Sequence, residues 1–346
     1  MGLVSAFRPP VVGLDLGSHA VKAVALRKSR RGWSLLAAGE APLPPGDRVT
    51  QEQVSETAAA LLDTLGLRRA HIAAAVSGQA VIVKRLALPP MGQKELAEAI
   101  PWEAEQYIPF ALADVQLDYQ VLNGQATALP ADALDILLVA ARKDRADERV
   151  AVVTATGRRP AVLDVEAFAL ANAYEVNYPH RTDAVSALVH IGRNATIVCV
   201  LEHGQLVFTR DLGLGGAAYT TALEREIGLD PVAARRILHG QKGNGDMAVA
   251  GVLRDVHLQL ITEIRKTLDF YWSTASPMAL SRIVLSGGAC RVEGLGPALD
   301  NEFQTTVEWC DPFRQIARPP RAIGADLDGP SFAVAVGLAL RRENDR

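Results

Sequence analysis

Two short stretches carry residue types that could hold a phosphate. Residues 11 to 26 read VVGLDLGSHAVKAVAL, and residues 189 to 200 read VHIGRNATIVCV. Aligned, Asp15-Leu16-Gly17 meets His190-Ile191-Gly192 and the run Val21 to Leu26 meets Thr196 to Leu201, an offset of 175 residues (190 minus 15). A glycine lets the backbone approach a phosphate and its amide donates to it, while an adjacent carboxylate can hold the water shell of Mg²⁺. In the first stretch these roles fall to Asp15, Gly17, Ser18 and His19. The competing reading of Asp-x-Gly is an ordinary tight turn.

In the second stretch His190 stands where the first has Asp15. Mg²⁺ takes oxygen ligands, so a neutral imidazole does not replace a carboxylate there. Binding is less affected. The amides of Gly192, Arg193 and Asn194 could face phosphate oxygens, and a protonated His190 or Arg193 would add charge. The alternative is that His190 hydrogen-bonds within its own sheet. Lys22, on the run returning from the first turn, reads equally as phosphate-facing or as a solvated surface lysine.

The elements that must position these residues follow from periodicity. Each stretch is an apolar, β-branched run broken by a short polar turn and then resumed, which predicts a strand, turn, strand unit. A Pro-rich connector, APLPPGD at 41 to 47, leads to a helix around 50 to 65, and HIAAAVSG, VIVKRLALPP, LDYQVL and DILLVAARKD add strands. Residues 36 to 150 are therefore expected to form an α/β module of their own. Within it, KELAEAIPWEAEQYIPF spaces Leu96, Ile100, Ala104 and Tyr107 as a helix with a kink or restart at Pro101 and a stop at Pro109. Trp102, Tyr107, Ile108 and Phe110 are expected in the core of that module rather than on a partner surface.

Helix, strand, helix follow in DERVAVVTATG, AVLDVE and AFALANAYE. After the second hairpin, Gly215-Gly216 opens a helix, a second helix enters through Asp230-Pro231, and QKGNGD at 241 to 246 is a polar loop. The segment VLRDVHLQLITEIRKTLDFYWST predicts a long amphipathic helix with Leu253, Val256, Leu260, Ile264, Leu268 and Tyr271 on one stripe. SGGACRVEG at 286 to 294 is a further glycine turn before a helix, and the chain closes with a short apolar helix and the polar RRENDR.

Composition limits the function classes. At 346 residues and 49% hydrophobic the chain can build two or more cores. Its 36 basic and 39 acidic residues give a net charge of −3 and no case for direct nucleic-acid binding. Cys199, Cys290 and Cys310 form no CxxC pair and read as reduced core thiols of a cytoplasmic protein. MGLVSAFRPP lacks the pattern of a signal peptide, and FAVAVGLAL at 332 to 340 is too short to span a bilayer, so membrane association is expected only through partners.

Taken together, the two hairpins, the Gly215-Gly216 turn and the Gly287-Gly288 turn resemble the actin, Hsp70 and hexokinase superfold, in which ATP sits between two duplicated α/β halves. More closely, GLDLGSHAVKAVAL, PWEAEQYIPF, LLVAARKD, LDVEAFALANAYE, EIRKTLDFYWST, LSGGACRVEGL and AVGLALRR resemble, in order and over nearly the whole chain, the PilM family of type IV pilus assembly proteins. The resemblance implies an actin-like (ribonuclease H-like) α/β fold. Its first half would comprise residues 1–35, 151–186 and 331–346, its second half 187–217 and 276–330, with a helical subdomain at 218–275 and an FtsA-type insert at 36–150.

The resemblance also implies site residues and partners. The position of His190 is usually Asp in the family. Glu166 resembles the Hsp70 helix-start glutamate that places Mg²⁺ and water, the metal being held with Asp15 through water; a carboxylate complementing the helix dipole is the rival reading. Glu263 and Lys266 resemble the adenosine grip completed by Gly287, Gly288 and Arg291, against a plain intrahelical ion pair. The function implied is a cytoplasmic scaffold in which ATP is bound with little or no turnover. Its expected partner is the N-terminal tail of a PilN-like inner-membrane protein, gripped in a groove between the insert and the first half, with other pilus platform proteins and assembly ATPases as further partners. The alternative is an active ATPase or sugar-kinase-like enzyme of the same superfold. An FtsA-like division protein would need an amphipathic membrane tail, which RRENDR does not provide.

Overall fold

The computed structural model describes residues 11–44, 49–122, 133–178, 185–238, 247–274, 279–324, 327 and 329–343. MGLVSAFRPP, the end of the proline-rich connector, the loop at 241 to 246 and the last three residues lie outside the described residues. The chain begins β1 (Val11–Leu16), β2 (Ala20–Ser29), β3 (Gly32–Pro42), α1 (Gln51–Thr64) and β4 (His71–Val76). Next come β5 (Val81–Leu88), α2 (Gln93–Glu105), β6 (Val115–Leu122), β7 (Leu134–Arg142), α3 (Lys143–Ala155), β8 (Arg159–Val165) and α4 (Glu166–Asn177). The rest is β9 (Val185–Ile191), β10 (Thr196–Glu202), β11 (Gln205–Leu212), α5 (Gly216–Ile227), α6 (Pro231–Leu238) and α7 (Met247–Thr274). It ends with β12 (Leu280–Ser286), α8 (Leu295–Phe303), β13 (Thr306–Trp309) and α9 (Ala333–Ala339).

Two compact units divide these elements. The first takes Met1–Ala75, Glu148–Tyr178 and Asp311–Asp345, and the second Val76–Asp147 and Pro179–Cys310. In the first unit a five-stranded sheet has the order β3-β2-β1-β4-β8, with β1/β2 and β2/β3 antiparallel and β1/β4 parallel. In the second unit a sheet of order β11-β10-β9-β12-β13 repeats that plan, antiparallel through β9, β10 and β11 and parallel through β9, β12 and β13. Even the irregularity repeats: the register shifts at Ala25/Leu26 and, 175 residues on, at Val200/Leu201. A bulge alters local strand twist, so its repetition ties the two sheets to one design.

The inserted module is smaller than its expected 36–150. The hairpin of β2 continues into β3 over a long register, and β4 returns through α1 to lie parallel to β1, so both strands belong to the first sheet. The connector at 41 to 47 interrupts the sequence pattern without ending the sheet. What remains as a separate layer is the antiparallel sheet β5-β7-β6, covered on one face by α2 through Leu96, Ile100 and Ala104. Pro101 produces no restart: α2 runs unbroken from Gln93 to Glu105, its buried stripe intact. Residues 311–324, expected in the second half, bridge Ser34 to Ala317 and Ala37 to Ile323 and so belong to the first unit.

Local chemistry explains several boundaries. A capping box starts α1, Thr50 Oγ1 accepting from the Gln53 amide at 3.2 Å and the Gln53 side chain accepting from the Thr50 amide at 2.9 Å. Small residues let α9 press on β1, for a Cβ on Gly13 would lie 2.0 Å from the Ala335 carbonyl oxygen. The stripe on α7, with Leu260, Ile264 and Leu268, closes the core over β9 and β12. All three cysteines are buried thiols outside any disulfide, and burial pushes Cys199 up to about 12.

Candidate functional site

The first turn sits at the end of β1, whose ladder with β2 sets Asp15 opposite Lys22, while the β2 and β3 ladder sets Lys22 opposite Glu40. Side chains of directly opposed residues share a face. Lys22 Nζ accordingly stands 3.9 Å from Asp15 and 3.8 Å from Glu40, with Lys22 and Asp15 exposed by only 9% and 8%. The solvated-lysine reading is thereby overturned. Burial drives the Asp15 carboxyl above the ordinary carboxylate range, and the charges of Lys22 and then Arg149 pull it back. Arg149, on α3, also donates to the Leu16 carbonyl at 3.0 Å. Ser18 is exposed at the tip, and the His19 carbonyl accepts from the Leu43 amide at 2.9 Å. Glu166 opens α4, whose N-cap Val165 offers no side-chain bond, so its carboxylate lies where the helix dipole favours it.

The second turn is laced to its neighbours through the backbone. The Gly192 amide donates to the Ala195 carbonyl at 2.9 Å, Gly216 to Gly192 at 2.8 Å, Ala217 to Arg193 at 2.7 Å and Ala289 to Ile191 at 3.1 Å. The Gly192 amide, expected to face phosphate, is thus engaged inside the turn, and the Gly216 amide is engaged with it. Gly215 is required for this contact, since a Cβ there would come within 2.7 Å of the Gly192 and Arg193 oxygens. His190 is buried, and its Nδ1 lies 3.0 Å from Ser286 Oγ on the adjacent β12. His190 thus has a hydrogen-bond neighbour within its own sheet. Arg193 is half-buried and Asn194 exposed.

Such a set does not fit a metal held directly by side chains. At the second turn the donors are an imidazole and a hydroxyl, and among the described residues no group of three His, Cys, Asp or Glu is placed to hold an ion.

On α7, Lys266 Nζ lies 2.7 Å from Glu263 Oε1, an ion pair one turn apart with the lysine exposed and the glutamate partly so. Beside it a cleft of about 690 Å³ runs between the end of β11 and α7, lined among others by Arg210, Asp211, Leu258, Thr262 and Glu263. Asp211, which the sequence does not single out, lines this cleft. It accepts from the Gly78 amide, which partly offsets the rise in its pKa caused by burial. Gly287 is buried beneath Ile191, whereas Gly288 and Arg291 are exposed. In the inserted module Ile108 is core and Phe110 packs against it, but Tyr107 is 40% and Trp102 73% exposed, so the expectation of a buried aromatic set fails for those two. Trp102 sits on the side of α2 away from Leu96, Ile100 and Ala104, and Tyr107 lies beyond the helix's last residue, Glu105, where helical spacing no longer applies.

Two five-stranded sheets of one strand order, one bulge position and matching turns define an actin-like protein of duplicated halves. The model of the family "Type IV pilus assembly protein PilM" matches residues 13–343, and the chain belongs to that family. A solved PilM-PilN type IV pilus biogenesis complex is similar over 96% of this chain and 98% of its own, with a TM-score of 0.83 and 29% identity. The ethanolamine utilization protein EutJ of Carboxydothermus hydrogenoformans shares the fold, with a TM-score of 0.57 and 17% identity over 96% of this chain and 90% of its own. The cell division protein FtsA of Agrobacterium fabrum is 26% identical over 181 residues, 44% of this chain and only 39% of FtsA.

Proposed function

We propose that this protein is a scaffold of the type IV pilus assembly platform that takes up the N-terminal tail of a PilN-like inner-membrane protein as an extended peptide. The observation carrying this reading is the likeness, over almost the full length of both chains, to a PilM solved with PilN. No described helix is long and apolar enough to cross a membrane, so the chain would sit at the inner membrane through that partner. The test is titration of a synthetic tail peptide into the purified protein by calorimetry. Saturable one-to-one binding supports the reading; no heat and no competition by unlabelled peptide would sink it.

ATP is the proposed ligand of the glycine turns, acting as a structural cofactor rather than a fuel. A ligand that binds only the folded state stabilises it by mass action without being consumed. His190 in place of a carboxylate, held by Ser286, supports retention over turnover. In the second unit the proposed contacts are Arg193, Asn194, Glu263, Lys266, Gly288 and Arg291. The check is the nucleotide content of protein purified without added nucleotide, with His190→Asp alongside. Stoichiometric ATP in the unmodified protein is expected, and an empty protein that fills only in the variant would instead mean that His190 has switched the site off.

A further inference from the structure

For a chain of net charge −3, the hairpin joining β2 to β3 is dense in cations: residues 27 to 31 read RKSRR. Ser29 Oγ donates to the Gly32 carbonyl at 3.1 Å and accepts from the Arg31 amide at 3.1 Å, which puts Arg30 and Arg31 at the apex. Arg27, Lys28, Arg30 and Arg31 are exposed, and none has a carboxylate partner among the described residues. The segment 311–324 is fastened to the same hairpin, Ala317 donating to the Trp33 carbonyl at 3.0 Å and Leu35 to that of Ala317 at 2.8 Å. It adds the exposed Arg314, Arg318 and Arg321, and its one acidic residue, Asp311, is met by Arg318 at 3.4 Å. Half-buried Trp33 lies at the centre, with Lys28 Nζ 5.3 Å and the Arg342 guanidinium 6.0 Å from its ring.

We propose that this surface binds an anionic lipid bilayer directly, a contact additional to the one a membrane partner provides. A single acidic side chain would be met by a fixed, paired arginine. Long, unpaired cations on an exposed hairpin end suit instead a diffuse plane of negative charge, and an indole among snorkelling cations suits the headgroup level. A duplex nucleic acid offers the same phosphate chemistry, but the overall acidic balance and the indole favour the bilayer. Each cation near such a surface raises partition about fivefold, and the attraction is screened by salt.

The test is flotation of the purified chain, with no partner protein present, on vesicles of phosphatidylcholine alone or with about 40 mol % phosphatidylglycerol. Expected is binding to the anionic vesicles alone, lost in high salt and reduced at least about 100-fold when Arg27, Lys28, Arg30 and Arg31 are all changed to Gln. An unchanged melting temperature shows that the variant is folded; Arg314→Gln with Arg318→Gln and Arg321→Gln provides a second reading of the same patch. Absence of flotation, equal flotation on neutral vesicles, indifference to both variants, or displacement of the protein from vesicles by duplex DNA would each overturn the proposal. Because no partner is present, failure here leaves the tail-binding reading untouched.

Discussion

At the first turn Asp15 faces Lys22 across the β1 and β2 ladder, whereas at the equivalent turn His190 faces Ile197 across β9 and β10. The backbones repeat one another, but the electrostatics do not. A buried carboxylate demands compensating charge, and the first unit supplies Lys22, itself buried, and the half-buried Arg149. An imidazole needs a hydrogen-bond partner when buried, and Ser286 Oγ stands 3.0 Å from its Nδ1. The comparison teaches that duplication preserved the turn as a piece of architecture while its chemistry diverged.

The strongest blow to that shared architecture is expected from Gly287→Ala. The residue has φ +93°, and a Cβ there would lie 2.3 Å from the Ile191 carbonyl oxygen, in backbone that cannot swing aside. Strain and clash together should cost about 4 kcal/mol, read by urea denaturation. Gly17→Ala at the first turn meets the Ala20 oxygen at 2.9 Å without a positive φ. It should cost about 1 to 2 kcal/mol. Equal losses would mean that the backbone contact of Gly287 with Ile191 is no tighter than that of Gly17 with Ala20.

Lys22→Met comes next. It leaves Asp15 buried with the charge of Arg149 to offset it, and about 3 kcal/mol should be lost at neutral pH. Adding Asp15→Asn to that variant should restore most of it. A double variant no more stable than Lys22→Met would separate the lysine's role from the carboxylate's.

A smaller effect is expected from pH. Because burial raises the folded-state pKa of Asp15 above its ordinary 3.8, the folded chain holds that proton more tightly than the unfolded chain. The group's contribution is therefore most favourable below 3.8 and declines as pH rises through the folded value. Asp15→Asn should lack this decline, so the stability of the unmodified protein relative to the variant should fall as pH climbs from 3.8. A difference that stays flat across acid pH would show Lys22 and Arg149 fully cancelling the burial.

Much of this was legible in the sequence because it rests on local pattern. The paired hairpins, the stripe on α7 and the glycine turns come from periods of two and 3.6 residues and from turn residues. The extent of the inserted module was not legible, because β3 and β4 join the first sheet through long-range register that the connector at 41 to 47 conceals. Lys22 could have been placed by strand alternation opposite Asp15, but Arg149, the other charge acting on Asp15, lies 134 residues away (149 minus 15) and gives no local signal. The exposure of Trp102 escaped for a related reason: an aromatic in an amphipathic run reads as core until the other face of the helix is known.

The finest test of the divergence is Ser286→Ala. Removing the hydroxyl 3.0 Å from His190 Nδ1 takes away a buried partner, and about 1 kcal/mol should be lost. Replacing both groups, His190→Leu with Ser286→Ala, should cost less than the sum of the single changes, since no polar atom of the pair is then stranded. The readout that separates this from simple packing is the imidazole's own titration, followed by NMR in the unmodified protein and in Ser286→Ala. A pair that acts as the geometry implies will show coupling in stability and a changed His190 titration. Additive losses with an unmoved titration would mean that the hydroxyl is incidental and that His190 is oriented by something other than its sheet, which would reopen the turn as a ligand-facing position and bring its chemistry closer to that of Asp15.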